Sequence, residues 1–192
     1  MKIRFILITF LISLSTSLLL SQQNFQLQSA EMSIEGTSTL YDWTSKVQQL
    51  SAEAEIEIVD NQLVAIPYLK VRIPVKEIKS SKGIIMDKRT YSTMNAEEYP
   101  HIQFELDKIE LKEQDLLATG QLFVSGQTRT IQFSVAHKVL PTGAIQFIGA
   151  HTLKMMDYEL KPPTFGTLKT GDEVTIRFSC VLASGGDTSK TK

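Results

Sequence analysis

The sequence predicts an all-β protein of antiparallel strands, and three observations predict it. Segment after segment alternates apolar and polar residues with a period of two, the segments are parted by two- or three-residue turn signals, and only one stretch carries helical spacing. Alternation of this kind marks strands with one dry and one wet face, and short connections favour hairpins over the long crossovers that parallel strands need.

The chain begins with Lys2 and Arg4 ahead of an unbroken run of apolar residues, Ser and Thr from Phe5 to Leu20. A charged start followed by such a run is the layout of an export leader, and at roughly 16 residues it falls short of the ~20 that span a bilayer. Ser21 suits the position before a cleavage, which sets the leader at 1–21 and the mature start near Gln22. The expected location is periplasmic or secreted, with no stable membrane insertion once the leader is gone.

A barrel-sized domain is expected over 22–184. Its clearest strand sets Leu50, Ala52, Ala54, Ile56 and Ile58 against Ser51, Glu53, Glu55 and Glu57. Leu69, Val71, Ile73 and Val75 repeat the pattern, as do Ile102, Phe104 and Leu106. Further strands are expected at Phe25 to Ile34, Leu116 to Val124, Thr130 to His137, Ala144 to Leu153 and Glu173 to Leu182, making about eight. The punctuating turns are Asp60-Asn61, Ser125-Gly126-Gln127, Pro141-Thr142-Gly143 and Thr170-Gly171-Asp172. A short helix is expected from about Met86 to Asn95, with Asp87 as its cap and Met86, Tyr91 and Met94 on one side. The end of the chain, 185–192, is Gly, Ser, Asp, Thr and Lys, a composition that buries too little apolar area to order itself.

Eight antiparallel strands must deal with their edges. Closing the sheet into a barrel does so most completely, while a β-sandwich fits the alternation equally well. Without Lys2 and Arg4 the basic count falls from 20 to 18 against 21 acidic residues, a net charge of −3 that attracts neither nucleic acid nor an anionic membrane. Cys180 is the single cysteine, so stability rests on packing and not on an internal disulfide.

No catalytic spacing emerges. Ser38 has Asp42 nearby but no adjacent His, and His101, His137 and His151 fall on separate strands without metal-ligand spacing. Asp157, Glu159, Asp172 and Glu173 sit in or beside turns, where solvated carboxylates are the ordinary finding. Gly36-Thr37-Ser38-Thr39 reads as a tight corner in which glycine permits a positive φ. Neither an enzyme nor a metal or cofactor site is expected.

Four motifs carry more than alternation does: Gly36 to Trp43 (GTSTLYDW), Tyr99 to Phe104 (YPHIQF), Gly120 to Arg129 (GQLFVSGQTR) and Asp157 to Gly166 (DYELKPPTFG). In this order, with the helix before the second and the Thr170-Gly171-Asp172 turn before the last strand, the chain from about Phe25 to Leu182 resembles the YceI-like family of exported polyisoprenoid-binding proteins. That resemblance implies an eight-stranded lipocalin-like barrel with a long apolar cavity, an isoprenoid quinone or polyprenyl lipid as its cargo, and a homodimer in many members. Tyr41 stands where similar proteins often carry His, which removes a group that titrates near neutral pH.

Trp43, Phe104, Phe133 and Phe147 fall on apolar faces and serve equally as core or as cavity wall. Met86, Met94, Met155 and Met156 add side chains that adapt to a flexible ligand. The candidate lipid contacts are thus Tyr41, Trp43, Met86, Tyr91, Met94, Phe104, Phe133, Phe147, Met156 and Tyr158, with Lys88 and Arg89 as candidates for the head group. The competing reading is a fully packed barrel without cargo, acting as an interaction or stress-response module.

Overall fold

The first and last strands decide the architecture. The computed structural model describes residues 23–113, 115–165 and 167–185. Its strands are β1 (Gln23–Ser38), β2 (Trp43–Val47), β3 (Ser51–Val59), β4 (Gln62–Pro74), β5 (Ile78–Ser80), β6 (His101–Leu111), β7 (Asp115–Val124), β8 (Gln127–Val139), β9 (Ile145–Lys154), β10 (Thr164–Phe165) and β11 (Leu168–Ser184), with one α-helix, α1 (Ile84–Thr93). They form a single sheet in the order β10-β11-β9-β8-β7-β6-β4-β3-β1-β2-β5, and β11 pairs again with β1. That second pairing runs antiparallel from Phe25↔Ser184 to Ser38↔Thr170 and closes eight strands into a barrel. A sheet closed on itself is not a sandwich. The expected leader, 1–21, and all but the first residue of the expected tail lie outside the described residues.

The eight expected strands are the eight barrel strands, each longer at one or both ends than its alternation suggested. The turns between them use the predicted chemistry. Asp60 and Asn61 take φ of 50° and 62° between β3 and β4, and Ser125 and Gly126 take 48° and 84° between β7 and β8, positive values that Asn, Asp and Gly tolerate best.

Four expectations are corrected. Thr170-Gly171-Asp172 is no turn but an irregular stretch within β11, where the register with β1 jumps between Gly36↔Val174 and Ser38↔Thr170. Gly36 has no positive φ, and its role proves to be steric. The helix begins at Ile84, two residues before the expected start, and Gly83 at φ 85° is its N-cap. Asp87 lies inside the helix, buried, with Oδ1 accepting the Ser80 N–H at 2.6 Å, so it pins α1 to β5 and does not cap. Three further strands, β2, β5 and β10, were not expected.

Two apolar clusters fill the barrel ends. At one end, which holds both the start of β1 and the end of β11, Phe25, Ile56, Ile145 and Leu182 are almost wholly buried. At the other, Val75, Ile78, Ile102, Val124, Tyr158 and Val174 pack beneath α1 and the segment after β9.

Candidate functional site

Between the two clusters the barrel is hollow. A cavity of about 610 Å³ runs from the α1 end toward the packed end, within the range of sites that take small ligands. Inward-facing residues of every barrel strand line it, among them Leu27 and Ile34 on β1, Ala52 on β3, Ile66 and Leu69 on β4, Leu106 on β6, Ala118 on β7, Val135 on β8, Phe147 on β9 and Cys180 on β11. This is the apolar half of each alternating pattern, meeting across a space instead of a core.

Glycine sets the position of three aromatic rings in the wall. A Cβ at Gly36 would lie 2.3 Å from the Trp43 indole, one at Gly120 would lie 2.6 Å from the Phe104 ring, and one at Gly149 would lie 2.6 Å from the Phe178 ring. Each glycine faces inward on its own strand and leaves room for a ring from the next. Phe133 joins the group edge-on, with centroids 5.6 Å from Phe104 and 6.1 Å from Phe178, a favoured geometry for aromatic pairs. The Trp43 indole N–H donates to the Thr37 carbonyl at 3.2 Å.

Few polar atoms reach this interior. His151 lines the wall beside Phe133 at 5.5 Å between centroids. The Tyr158 hydroxyl is buried without a hydrogen-bond partner among the described residues, and burial pushes its pKa up. The Cys180 thiol is likewise pushed up, to about 11, by burial; it acts as a small apolar side chain and stays protonated. His137, on β8, does not line the cavity. Its Nδ1 is buried and unpartnered among the described residues.

Burial lowers the pKa of both His137 and His151, and Asp115 offsets only part of the effect at His137. The unfolded chain then takes up protons near pH ~6.5 that the folded chain refuses, so these residues leave stability intact above that pH and erode it as pH falls toward their depressed folded values. Replacing both by Phe should flatten the fall in melting temperature between about pH 7 and about pH 5. An unchanged slope would show that neither imidazole is desolvated.

The mouth differs from the interior. Ser38, Tyr41, Ser80, Lys82, Ile85, Arg89, Lys169 and Thr170 surround it, drawn from the β1–β2 connection, the β5–α1 connection, α1 and the start of β11. Lys82 Nζ lies 4.7 Å above the Tyr41 ring, a cation–π distance.

Of the twelve residues expected at the site, nine line this cavity: Tyr41, Trp43, Met86, Arg89, Met94, Phe104, Phe133, Phe147 and Tyr158. The other three do not line it. Tyr91 turns away because its hydroxyl donates to the Lys76 and Ile78 carbonyls at 2.8 and 3.3 Å and accepts from Lys79 at 2.8 Å. Met156 is 55% exposed, while in the same short 3-10 turn, Met155–Tyr158, its neighbours Met155 and Tyr158 are buried against the cavity. Lys88 is exposed on the outer side of α1. Sequence reasoning missed Lys82 and Lys169, which come from opposite parts of the chain. It also missed Phe178 as a wall residue, although its shared parity with Ile176 and Cys180 was readable.

A closed antiparallel barrel around one long apolar cavity, entered through a mouth bearing cations, defines a hollow barrel of the lipocalin-like class. The family model for the YceI-like domain matches residues 21–182, and the chain belongs to that family. No curated protein matches the chain. Among solved structures it is similar to Burkholderia cenocepacia BcnA, at a TM-score of 0.66 and 17% identity over 81% of this chain and 96% of that one. It is also similar to a polyisoprenoid binding domain from Saccharophagus degradans implicated in plant cell wall breakdown (TM-score 0.66, 12% identity, 86% and 100% covered). The Campylobacter jejuni YCEI protein follows at 0.58 and 17% over 74% and 85%. At these identities the likeness is one of fold.

Proposed function

We propose that the chain holds one long isoprenoid-type lipid, a quinone or a polyprenyl lipid, non-covalently in its barrel and carries or sequesters it in the cell envelope after export. The observation that carries this reading is the cavity itself, apolar on every strand and about 610 Å³ in volume. Each methylene moved from water into such a space contributes roughly 0.8 kcal/mol, so several isoprene units bind without a single hydrogen bond. The polar end of the lipid then stays at the mouth, where Lys82, Arg89 and Lys169 stand among hydroxyls. Binding, not turnover, is the activity in this reading, and α1 is the segment that moves to admit the cargo. The similarity to a structure described as a polyisoprenoid binding domain supports the ligand class.

Protein purified from its native envelope and extracted under denaturing conditions should release about one lipid per chain by mass spectrometry. Absence of stoichiometric lipid, together with no change in Trp43 fluorescence on titration with isoprenoids of several lengths, would sink the proposal in favour of a barrel without cargo.

A further inference from the structure

The surface around the mouth carries more apolar area than a barrel rim needs. Leu40, Ile84 and Ile85 are 69%, 68% and 69% exposed, and Tyr41 is about half exposed. They come from the β1–β2 connection and from the first turn of α1, held side by side by the contact of Lys82, just ahead of that turn, with Tyr41. A third segment is tied in where the Thr39 N–H donates to the Lys169 carbonyl at 3.0 Å and the Lys169 N–H donates to Thr39 Oγ1 at 3.3 Å. Scattered exposed apolar residues are ordinary, but a set of them around one opening calls for a partner. Helix α1 does not explain its own first turn: Met86, Arg89, Thr90 and Met94 face the cavity, while Ile84 projects into solvent.

Charge selects the partner. Lys82 and Lys169 line the mouth and Lys88 lies one turn along α1 from Ile84 on its solvent side, and none of the three forms an ion pair among the described residues. On the same segments Asp42 is the exposed acid, and Asp87 is turned inward onto the Ser80 N–H. The rim is therefore cationic on a chain whose formal net charge is −1. Apolar tips set among lysines match the boundary between head groups and acyl chains of an anionic bilayer. A second copy fits less well, because a two-fold contact here would press each lysine cluster against its own equivalent.

We infer that the mouth rim is a docking surface for an anionic lipid bilayer, inserting Leu40, Ile84 and Ile85 so that the cavity opens directly onto the lipids. The purpose of docking rests on the lipid-cargo reading, whereas docking itself is measured without cargo. The test is co-sedimentation of the full chain with vesicles of phosphatidylcholine alone and of phosphatidylcholine with an equal part of phosphatidylglycerol. Parent and variants share the same N-terminal run, so the difference between them reports the rim. Leu40→Ser/Ile84→Ser, which spares every cavity-lining residue, should weaken binding to the mixed vesicles by about tenfold or more, and Lys88→Glu should weaken it several-fold. Added salt should release the parent, and both variants should keep the parent's melting temperature. Lipid extracted from the Leu40→Ser/Ile84→Ser protein should match the parent in amount, which separates failure of docking from failure of cargo binding. Variants that sediment with mixed vesicles as the parent does would overturn the inference. So would a parent that does not distinguish the two vesicle types. A Leu40→Ser/Ile84→Ser protein that changes from dimer to monomer in sedimentation velocity, with vesicle binding unchanged, would assign the rim to a second copy instead.

Discussion

Gly120→Val is expected to destabilise the barrel by about 3 kcal/mol, at the upper end of the usual cost of overpacking. For a chain of this size the melting temperature should fall by about 10 °C. Valine is among the best strand formers, so propensity alone forecasts the opposite. Space decides the outcome. A Cβ at Gly120 would lie 2.3 Å from the Glu105 carbonyl oxygen and 2.6 Å from Cζ of Phe104. The ring can swing away at the expense of its edge-on contact with Phe133; the carbonyl belongs to the neighbouring strand's backbone and cannot move without disturbing the β6–β7 ladder around Leu106↔Gly120. Adding Phe104→Ala to Gly120→Val should recover only the part owed to the ring, giving a non-additive pair by thermal denaturation. A single variant that melts within a degree or so of the parent would show that the backbone yields.

The second large effect is expected at Asp87. Its Oδ1 holds the Ser80 N–H at 2.6 Å within a buried setting, and a hydrogen bond to a charged group contributes roughly 1.5–3 kcal/mol. Asp87→Ala leaves that N–H without an acceptor and removes one of the contacts that fasten α1 over the mouth. About 2 kcal/mol of stability should be lost. In the lipid-carrying function proposed above, a bound isoprenoid should also dissociate several-fold faster, because the helix covers one side of the cavity. Asp87→Asn keeps an acceptor oxygen and should restore most of both properties. If Asp87→Ala exchanges a fluorescent isoprenoid at the parent's rate, the helix is held instead by Tyr91, whose hydroxyl bonds the Lys76 and Ile78 carbonyls.

Alternation marked the barrel strands because each keeps one wet and one dry face along nearly its whole length. It failed at β2, where Trp43, Ser45 and Val47 face inward and the buried Ser45 breaks the apolar series. It failed at β5 because three residues, Ile78 to Ser80, hold too few repeats to show a period. Periodicity also cannot distinguish a wall from a core, since both need apolar side chains on the same face. The difference lies in Gly36, Gly120 and Gly149, whose missing side chains set the Trp43, Phe104 and Phe178 rings into the wall. An inward glycine reads in sequence only as a weak strand position. At the mouth, Lys82 and Lys169 are far apart in the chain and are brought to one opening by their contacts with Tyr41 and Thr39 of the same connection. No local motif announces such a meeting. Tyr91 and Met156 show the reverse: residue type suggested lipid contact, but hydrogen bonding to β5 and the turn after β9 pointed them elsewhere.

The pairing of β1 with β11 also orders events in time. Until residues near Ser184 are in place, the strand that begins at Gln23 has no partner along the edge that β11 will occupy, and β9 is equally bare on its own. The emerging chain therefore cannot finish as a smaller version of itself; it remains an open, sticky sheet. Closure waits for the last strand, and the long sequence separation of that contact makes it a slow step. A chain truncated before Leu168 should accordingly aggregate, although it would lack only the final strand of the wall.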